Sequence, residues 1–249
     1  MSLKIMSQNV MCWGVEGKSS LKLRRPLMRR AVTENAPDII GFQEVTPEWE
    51  RYFETDIENY KCHLVYRSET NPEAAPIYWN PKRVDILEKG HFWLSDTPNI
   101  SCLGWDAKCV RITCWCCFKD RYSGSEFVFI NTHLDHVGVK ARTEGIKQIA
   151  KFASDNFSSM PVVLTGDFND TPDSQTVCTA NKFFINASNA AHKPVDMPTY
   201  HGLGECKPIT IDYIFLSPQI KCLKFDIVDI RDKNIMHSDH YGITAELEI

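Results

Sequence analysis

Residues 161–170 read PVVLTGDFND, an apolar run that ends in Asp167 and Asn169. The run has the length and apolar content of a buried β-strand. The same arrangement recurs along the chain, because FVFIN leads into NTHLDH (131–136) and DIIGF leads into QE (43–44). When several strands of a sheet end in this way, their polar side chains can project into one shared cleft. The pattern therefore predicts a sheet scaffold with a polar site at the strand ends.

Short β-like segments follow one another along the whole chain, with only a few helical stretches between them. In VRITCWCCF (110–118), alternate residues share one face, as expected in a sheet with unlike faces. Many strands with few helices predict a four-layer α/β sandwich of two facing, mainly antiparallel sheets with helices outside, in a single domain of residues 1–249. The predicted strands are Leu3–Asn9, Asp38–Gln43, Cys62–Tyr66, Ala75–Trp79, Cys109–Lys119, Glu126–Thr132, Pro161–Gly166, Ile211–Leu216, Leu223–Val228 and Gly242–Leu247, and the predicted helices are Arg24–Asn35, a helix from Thr46 towards Ile57, and Val139–Phe157.

The composition fits a folded protein with one sizeable core. Hydrophobic residues make up 43% of the 249 residues and charged residues 24%, which argues against disorder. The net charge of −4 argues against a protein that coats DNA, although a nuclease that handles a few phosphates remains compatible with it. No secretory signal or bilayer-spanning apolar run is recognised, so the ten cysteines are expected to be reduced in the cytoplasm, without membrane association.

Two further clusters are interpreted as structural. Cys114, Cys116 and Cys117 are expected to be buried strand cysteines, with a metal site as the alternative. The arginines of LRRPLMRR (23–30) could bind phosphate, but a solvated helix face is preferred.

The residues at the strand ends are the ones that metal-assisted phosphoester hydrolysis needs. Singly, an Asp or Asn after a strand is usually a turn residue, but several such ends together offer hard oxygen ligands and imidazoles. That set suits Mg²⁺ or Mn²⁺ better than a closed structural zinc site. A metal neutralises charge on phosphate oxygens, a carboxylate or histidine activates water, and amide or imidazole donors hold the phosphoryl oxygens.

At these positions the sequence resembles the endonuclease/exonuclease/phosphatase superfamily, which has the DNase I-like fold. The resemblance extends across nearly the whole chain, in family order, and includes a small branch related to nocturnin-like nucleases. The matching stretches are SQNV (7–10), DIIGFQEV (38–45), NTHLDH (131–136), LTGDFND (164–170), TIDYIFLS (210–217) and HSDHYGI (237–243).

The resemblance implies a role for each matching residue. Glu44 would be the principal metal ligand, assisted by Asn9 and Asp239. Asp167 would align or activate the attacking water, and Asn169 would contact the phosphate. The other implied roles are a phosphate or proton-transfer role for His240, orientation of His240 by Asp212, a phosphate contact for His133, and orientation of His133 by Glu73.

Three residues outside this shared set are candidate substrate contacts. Arg111 either binds substrate phosphate or lies on the solvated face of its strand. Trp105 either stacks on substrate or serves as packing, and packing is preferred. Asp135 is either a substrate contact or a turn carboxylate. Where some relatives carry an acidic residue two positions after the first asparagine, this chain has Met11, so a two-metal mechanism is not assumed.

The sequence therefore predicts a divalent-metal-dependent hydrolase of phosphate esters that uses in-line attack of water without a covalent enzyme intermediate. A phosphodiesterase or nuclease acting on single-stranded nucleic acid is the first substrate expectation. A phosphomonoesterase acting on an inositol, sugar or nucleotide phosphate is the alternative. A catalytically silent binding module is the rival of another class, and no protein partner is inferred.

Overall fold

The computed structural model describes residues 2–14 and 16–249, with Lys18 described by its backbone only. The strands are β1 (Leu3–Asn9), β2 (Ile39–Gln43), β3 (Lys61–His63), β4 (Ile77–Trp79), β5 (Val84–Trp93), β6 (Ile112–Asp120), β7 (Glu126–His133), β8 (Val162–Asp167), β9 (Ile185–Asn186), β10 (Asp212–Leu216), β11 (Lys221–Val228), β12 (Arg231–Asp232), β13 (Ile235–Met236) and β14 (Gly242–Glu248). The helices are α1 (Leu21–Asn35), α2 (Pro47–Asp56), α3 (Val139–Phe157), α4 (Gln175–Ala180) and α5 (Ala187–Ala190), with 3-10 turns at Gly17–Ser19 and Gly202–Gly204.

The strands form two six-stranded sheets and a small hairpin. The first sheet has the order β11-β14-β1-β2-β4-β3, the second has the order β5-β6-β7-β8-β10-β9, and β12 pairs with β13. Each large sheet contains one parallel pair, β1 with β2 and β7 with β8, while the other pairs are antiparallel. The predicted pair of mainly antiparallel sheets is confirmed.

Three hydrophobic clusters separate the four layers. Alternation along β7 shows the principle, because Phe127 and Phe129 belong to the cluster between the sheets, whereas Val128 and Ile130 belong to the cluster with Ile146 of α3. A third cluster joins the outer face of the first sheet to α1 and α2. Successive side chains of a strand point to opposite faces, so both sheets bury both faces and the helices lie outside.

A buried polar contact ties the two sheets together, formed by Gln43, Asn131 and Thr165 and termed here the inter-sheet polar bridge. Asn131 Oδ1 accepts hydrogen bonds from Gln43 Nε2 at 2.8 Å and Thr165 Oγ1 at 2.9 Å, while its Nδ2 donates to Phe42 O at 2.7 Å. A Cβ at Gly41 would lie 2.4 Å from Asn131 Oδ1, so only glycine allows this close approach.

The structure differs from the sequence expectation at several elements. β5 was not predicted, because its partly exposed sequence VDILEKGHFW contains a register shift between Ile86 and Glu88 and lacks regular alternation. The short elements β9, β12, β13, α4 and α5 were also not predicted. The predicted strand Cys62–Tyr66 is shorter in the structure, and α1 begins at Leu21 rather than at Arg24.

The cysteines fit the structural interpretation. Cys114, Cys116 and Cys117 are buried in β6, and all ten cysteines are free thiols. Burial raises the pKa of Cys114 to about 12, so this thiol stays protonated at neutral pH. Among the helices that the structure describes, none combines the length and the apolar character needed to cross a bilayer.

Candidate active site

The strand ends meet at one edge of the sandwich. Asp167, the last residue of β8, pairs with His133 of β7 on one side and with Asp212 of β10 on the other. In the facing sheet, Asn9 pairs with Gln43, which places Glu44 at the same edge. Asn131 and Thr165 lie two residues before His133 and Asp167, so the inter-sheet polar bridge forms the layer beneath the site. The convergence predicted from the sequence is observed.

Glu44 and Asp167 are joined by Asn9. Asn9 Nδ2 donates to Glu44 Oε1 at 3.0 Å and to Asp167 Oδ2 at 2.9 Å, while Asn9 Oδ1 accepts from the Met11 amide at 2.9 Å. In this orientation Asn9 holds two carboxylates in place, and its role as a direct metal ligand stays a prediction. Position 11, where some relatives carry an acidic residue, is occupied here by a buried methionine.

Glu44 is prepared to remain ionised. Burial raises the pKa of its carboxyl, but His133 and hydrogen bonds from Cys12 and Asn9 outweigh burial and lower the pKa to about 2. The Cys12 amide donates to Glu44 Oε2 at 2.7 Å. Glu44 also has a positive φ of 62°, a conformation that is uncommon for a residue other than glycine and frequent at functional sites.

Asp239, in the segment before β14, lies near Glu44. Burial and the neighbouring Glu44 raise the pKa of Asp239 to about 6. Glu44, His133 and Asp167 each offer a ligand atom within 4.8 Å of the others. Buried oxygen ligands that repel one another fit a hard divalent cation, which would compensate their charge.

A histidine–aspartate pair, His240 with Asp212, lies on the other side of Asp167. His240 Nδ1 is 2.9 Å from Asp212 Oδ2, and His240 Nε2 is 3.7 Å from Asp167 Oδ2. Burial lowers the pKa of His240, but Asp212, Asp167 and Asp239 outweigh it and raise the pKa to about 10. The ring is therefore cationic at neutral pH. The orienting role that the family resemblance implies for Asp212 stays a prediction.

His133 has a second carboxylate partner. Asn169 Nδ2 lies 3.0 Å from His133 Nε2, and this ring nitrogen is 3.6 Å from Asp167 Oδ2. The other ring nitrogen, Nδ1, is buried without a hydrogen bond and lies 3.6 Å from Glu73 Oε1. Arg67 Nη1 holds the same Glu73 oxygen at 2.6 Å. Glu73 thus lies beside His133, at a distance slightly longer than a hydrogen bond, and its orienting role stays a prediction.

Arg111 faces the site rather than solvent. Its side chain is buried, its Nη2 lies 3.2 Å from His136 Nδ1, and its guanidinium lies 3.7 Å from Glu73 and 3.6 Å from Asp135. The solvated-face alternative for Arg111 is therefore excluded. The Arg111 guanidinium has two carboxylate neighbours, so its charge is largely compensated within the protein.

The other two candidate substrate contacts have structural surroundings. Asp135 is buried and accepts backbone hydrogen bonds from Lys108, Cys109, Val137 and Gly138, which lower its pKa although burial raises it. The carboxylate therefore joins two loops, as in the turn interpretation. Trp105 packs against the cluster beneath α3, the packing alternative, and the structure does not bring it into the site cavity.

The site opens into a cavity of about 490 Å³. Asn9 and Asp212 lie behind residues of its wall and hold them by the hydrogen bonds described above. The predicted site residues that line the cavity are Glu44, Glu73, Arg111, His133, Asp167, Asn169, Asp239 and His240.

Arg24 is a positioning residue that the sequence interpretation placed incorrectly on a solvated helix face. The side chain is fully buried, whereas Arg29 and Arg30 are exposed. Burial lowers the pKa of Arg24 to about 10, so it stays charged at neutral pH. Its spacing from Leu21 and Met28 places it on the inner face of α1, a signal that is visible once the helix starts at Leu21.

The Arg24 guanidinium binds backbone carbonyls of the loop after β1 and of the segment before Asp239. Its nitrogens donate to Ser19 O at 2.7 Å, Val10 O at 2.6 Å, Met11 O at 2.9 Å and Trp13 O at 3.2 Å. A longer contact of 3.4 Å reaches the His237 carbonyl, in the segment before Asp239. The loop that supplies the Cys12 amide to Glu44 is therefore fixed by Arg24.

Replacement of Arg24 by Met is expected to lower the free energy of unfolding by roughly 2–4 kcal/mol, because several buried carbonyls lose their donor. Urea denaturation would measure the loss, and Mn²⁺ titration of the folded variant should show weaker metal binding. Arg29→Met, on the exposed face of the same helix, should change stability by less than about 0.5 kcal/mol. Equal stability of the two variants would contradict the positioning role.

Comparison with known proteins identifies the family. Residues 22–240 match the model of the endonuclease/exonuclease/phosphatase family. The chain belongs to the endonuclease/exonuclease/phosphatase family. As a member of this family, the protein is a hydrolase of phosphate esters, and the resemblance recognised in its motifs is confirmed.

Solved structures share the fold over the full length. An endonuclease/exonuclease/phosphatase protein from Bacteroides vulgatus is 28% identical, with a TM-score of 0.93 over 100% of this chain and 99% of that chain. A protein from Bacteroides thetaiotaomicron named mannosyl-6-phosphatase Bt3783 is 27% identical, with a TM-score of 0.88 over 100% of both chains. The DNase I-like architecture is thereby confirmed.

A sequence relative comes from a virus. The uncharacterized protein L388 of Acanthamoeba polyphaga mimivirus is 29% identical over 157 residues, which make up 59% of this chain and 58% of L388. The match therefore spans less than two thirds of the viral protein.

Proposed function

We propose that residues 1–249 form a single catalytic domain that hydrolyses phosphate esters with Mg²⁺ or Mn²⁺. The observation that carries this proposal is the position of Asp167, which Asn9 links to Glu44 while His133 and His240 lie 3.6 and 3.7 Å from its Oδ2. A carboxylate between an acidic group and two imidazoles is placed to handle a water molecule beside a phosphoryl group.

Glu44 and Asp239 would hold the cation, with Asn9 in reach of the same position. When bound, the cation supplies Lewis-acid stabilisation of charge on the phosphoryl oxygens. The catalytically silent alternative is disfavoured, because the carboxylates, amides and imidazoles that the reaction needs are all present and face one cavity.

Asp167 would accept a proton from water as the water oxygen attacks phosphorus. The phosphorus–oxygen bond opposite the attacking water breaks, and protonated His240 is placed to stabilise the phosphoryl group or donate a proton to the leaving oxygen. Asn169 and His133 would contact phosphoryl oxygens, with Glu73 and Asp212 orienting the two histidines. No side chain needs to act as a nucleophile in this scheme.

We favour a small phosphomonoester of a sugar over single-stranded nucleic acid as substrate. Arg67 and Arg111, the arginines that line the cavity, are buried, and both lie close to Glu73. A nucleic acid strand is instead bound by Lys and Arg side chains whose charge is free to neutralise its phosphates, which releases the counterions of the strand. The name of the Bacteroides thetaiotaomicron relative, mannosyl-6-phosphatase, supports the same substrate class. A cytoplasmic location is retained in the proposal, supported by ten free thiols.

A turnover panel tests the proposal. We expect phosphate release from mannose 6-phosphate with Mg²⁺ or Mn²⁺, none with EDTA, and a shallow dependence on ionic strength. Nucleotides, inositol phosphates, an activated phosphodiester, and single-stranded RNA and DNA complete the panel. Cleavage of the polynucleotides with a steep loss of rate between about 50 and 200 mM salt would replace the sugar phosphate by a nucleic acid. Metal binding without turnover of any substrate would favour a silent module.

A further inference from the structure

A second cavity adjoins the site and shares one wall with it. This cavity, of about 560 Å³, is termed here the Trp13 cavity, because Trp13 lines both it and the catalytic cavity. Trp13 is 52% exposed, which is unusual for so large an apolar side chain. The Trp13 carbonyl is fixed by Arg24 Nη2 at 3.2 Å, so the backbone beneath the indole is anchored.

Another part of the wall of the Trp13 cavity comes from a segment that immediately precedes catalytic residues in the sequence. It is formed by the hairpin β12–β13, including Arg231, Lys233 and Met236. The hairpin ends at Met236, and Asp239 and His240 follow within the next turn of chain. A substrate whose phosphate lies at His240 can therefore extend past Trp13 into the second cavity.

The walls offer both hydrogen-bond donors and acceptors around an aromatic face. Glu205, Lys233 and Asn234 line the cavity, and their side chains form no hydrogen bond or ion pair with any residue that the structure describes. The Arg231 guanidinium is paired with Asp229. A carboxylate and an ammonium that line the same cavity without partners among the described residues suit neutral hydroxyl groups, because together they offer an acceptor and donors without a net charge.

We propose that the Trp13 cavity binds a sugar ring joined to the phosphorylated unit, so that the substrate is a phosphorylated oligosaccharide rather than a free sugar phosphate. This inference rests on the proposed function. The apolar C–H face of a pyranose would pack on the indole of Trp13, and its hydroxyls would bind Glu205, Lys233 and Asn234. The catalytic cavity would hold the phosphate and the sugar that carries it.

The test compares mannose 6-phosphate with a mannobiose phosphorylated at C6 of one ring. We expect the wild type to hydrolyse the disaccharide with a kcat/KM about tenfold higher. Trp13→Ala should lower kcat/KM for the disaccharide about tenfold more than for the monosaccharide, and Lys233→Ala and Glu205→Gln should each reduce the same ratio. Phe183→Ala removes a similarly exposed aromatic side chain elsewhere and should leave both values unchanged.

Each other outcome has a defined meaning. Equal rates on the two sugars, or equal losses on both in Trp13→Ala, would overturn the second sugar site while leaving the proposed function intact. Hydrolysis of neither sugar would refute the proposed sugar phosphate substrate, and calorimetric titration with unphosphorylated mannobiose would then test the cavity alone. Binding that is lost in Trp13→Ala would support the sugar site, and no binding would overturn it. Cleavage of single-stranded oligonucleotides that depends on Trp13 would assign the cavity to a nucleobase instead.

Discussion

Asp167→Asn is expected to lower the single-turnover rate on the order of 10⁴-fold, the largest effect of any single substitution in the site. The asparagine side chain has the same shape as the aspartate. It keeps an oxygen for the backbone N–H of Asn169, which donates to Asp167 Oδ1 at 2.8 Å. It cannot accept a proton from water at neutral pH, and it removes the negative charge that faces His133 and His240. Rapid-quench measurement of phosphate release would give the chemical step directly.

The stability of Asp167→Asn should change little, because relief of the repulsion between Asp167 and Asp212 offsets the loss of the hydrogen bond from Asn9. A loss of activity with no loss in Tm would therefore locate the effect in chemistry rather than in folding. Asp173→Asn, which changes an exposed carboxylate nearby in the sequence, should retain the wild-type rate. Near-normal single-turnover rates in Asp167→Asn would remove this residue from the mechanism.

Glu44→Gln is expected to weaken Mn²⁺ and Mg²⁺ binding by at least about 100-fold, with a matching loss of turnover at limiting metal. The pKa of Glu44 of about 2 means that the wild type presents a full negative charge throughout the working pH range, and the amide removes it. Calorimetric titration with Mn²⁺ would measure the change without reference to activity.

Raising the Mg²⁺ concentration should restore part of the turnover of Glu44→Gln but none of that of Asp167→Asn, which separates metal binding from water activation. Glu48→Gln, on the exposed first turn of α2, serves as the matched control and should bind metal normally. Unchanged Mn²⁺ affinity in Glu44→Gln would show that the cation is held elsewhere.

The sequence predicted the architecture because apolar runs, and the alternation of residues between the two faces of a strand, can be recognised locally in a sequence. Phe127 to Ile130 show the alternation directly, since their faces belong to two different clusters. The site followed from the same signal, because parallel strands bring their last residues to one edge of a sheet and an antiparallel neighbour brings its first residue there. Asp167, His133 and Asp212 are neighbours across three strands for this reason.

Features that depend on contacts between distant segments were not predictable in the same way. Asn131 and Thr165 look like ordinary polar strand residues until the two sheets face each other and Gly41 allows their approach. Arginine is charged and is usually found at the surface. Only the carbonyls of the loop after β1, which accept hydrogen bonds from Arg24, explain why this arginine is buried. The Trp13 cavity likewise requires a loop and a hairpin to meet, which no periodicity encodes.

The central position of β1 determines when during synthesis the enzyme can first become active. β1 pairs with β2 on one side and with β14 on the other, from Leu3 opposite Leu247 to Ser7 opposite Ile243. A chain still attached to the ribosome before residue 239 lacks Asp239 and His240 and leaves this edge of β1 unpaired. Such an edge is open to pairing with another emerging chain or to capture by a chaperone. We therefore expect the nascent protein to be inert and in need of protection until β14 has emerged from the ribosome.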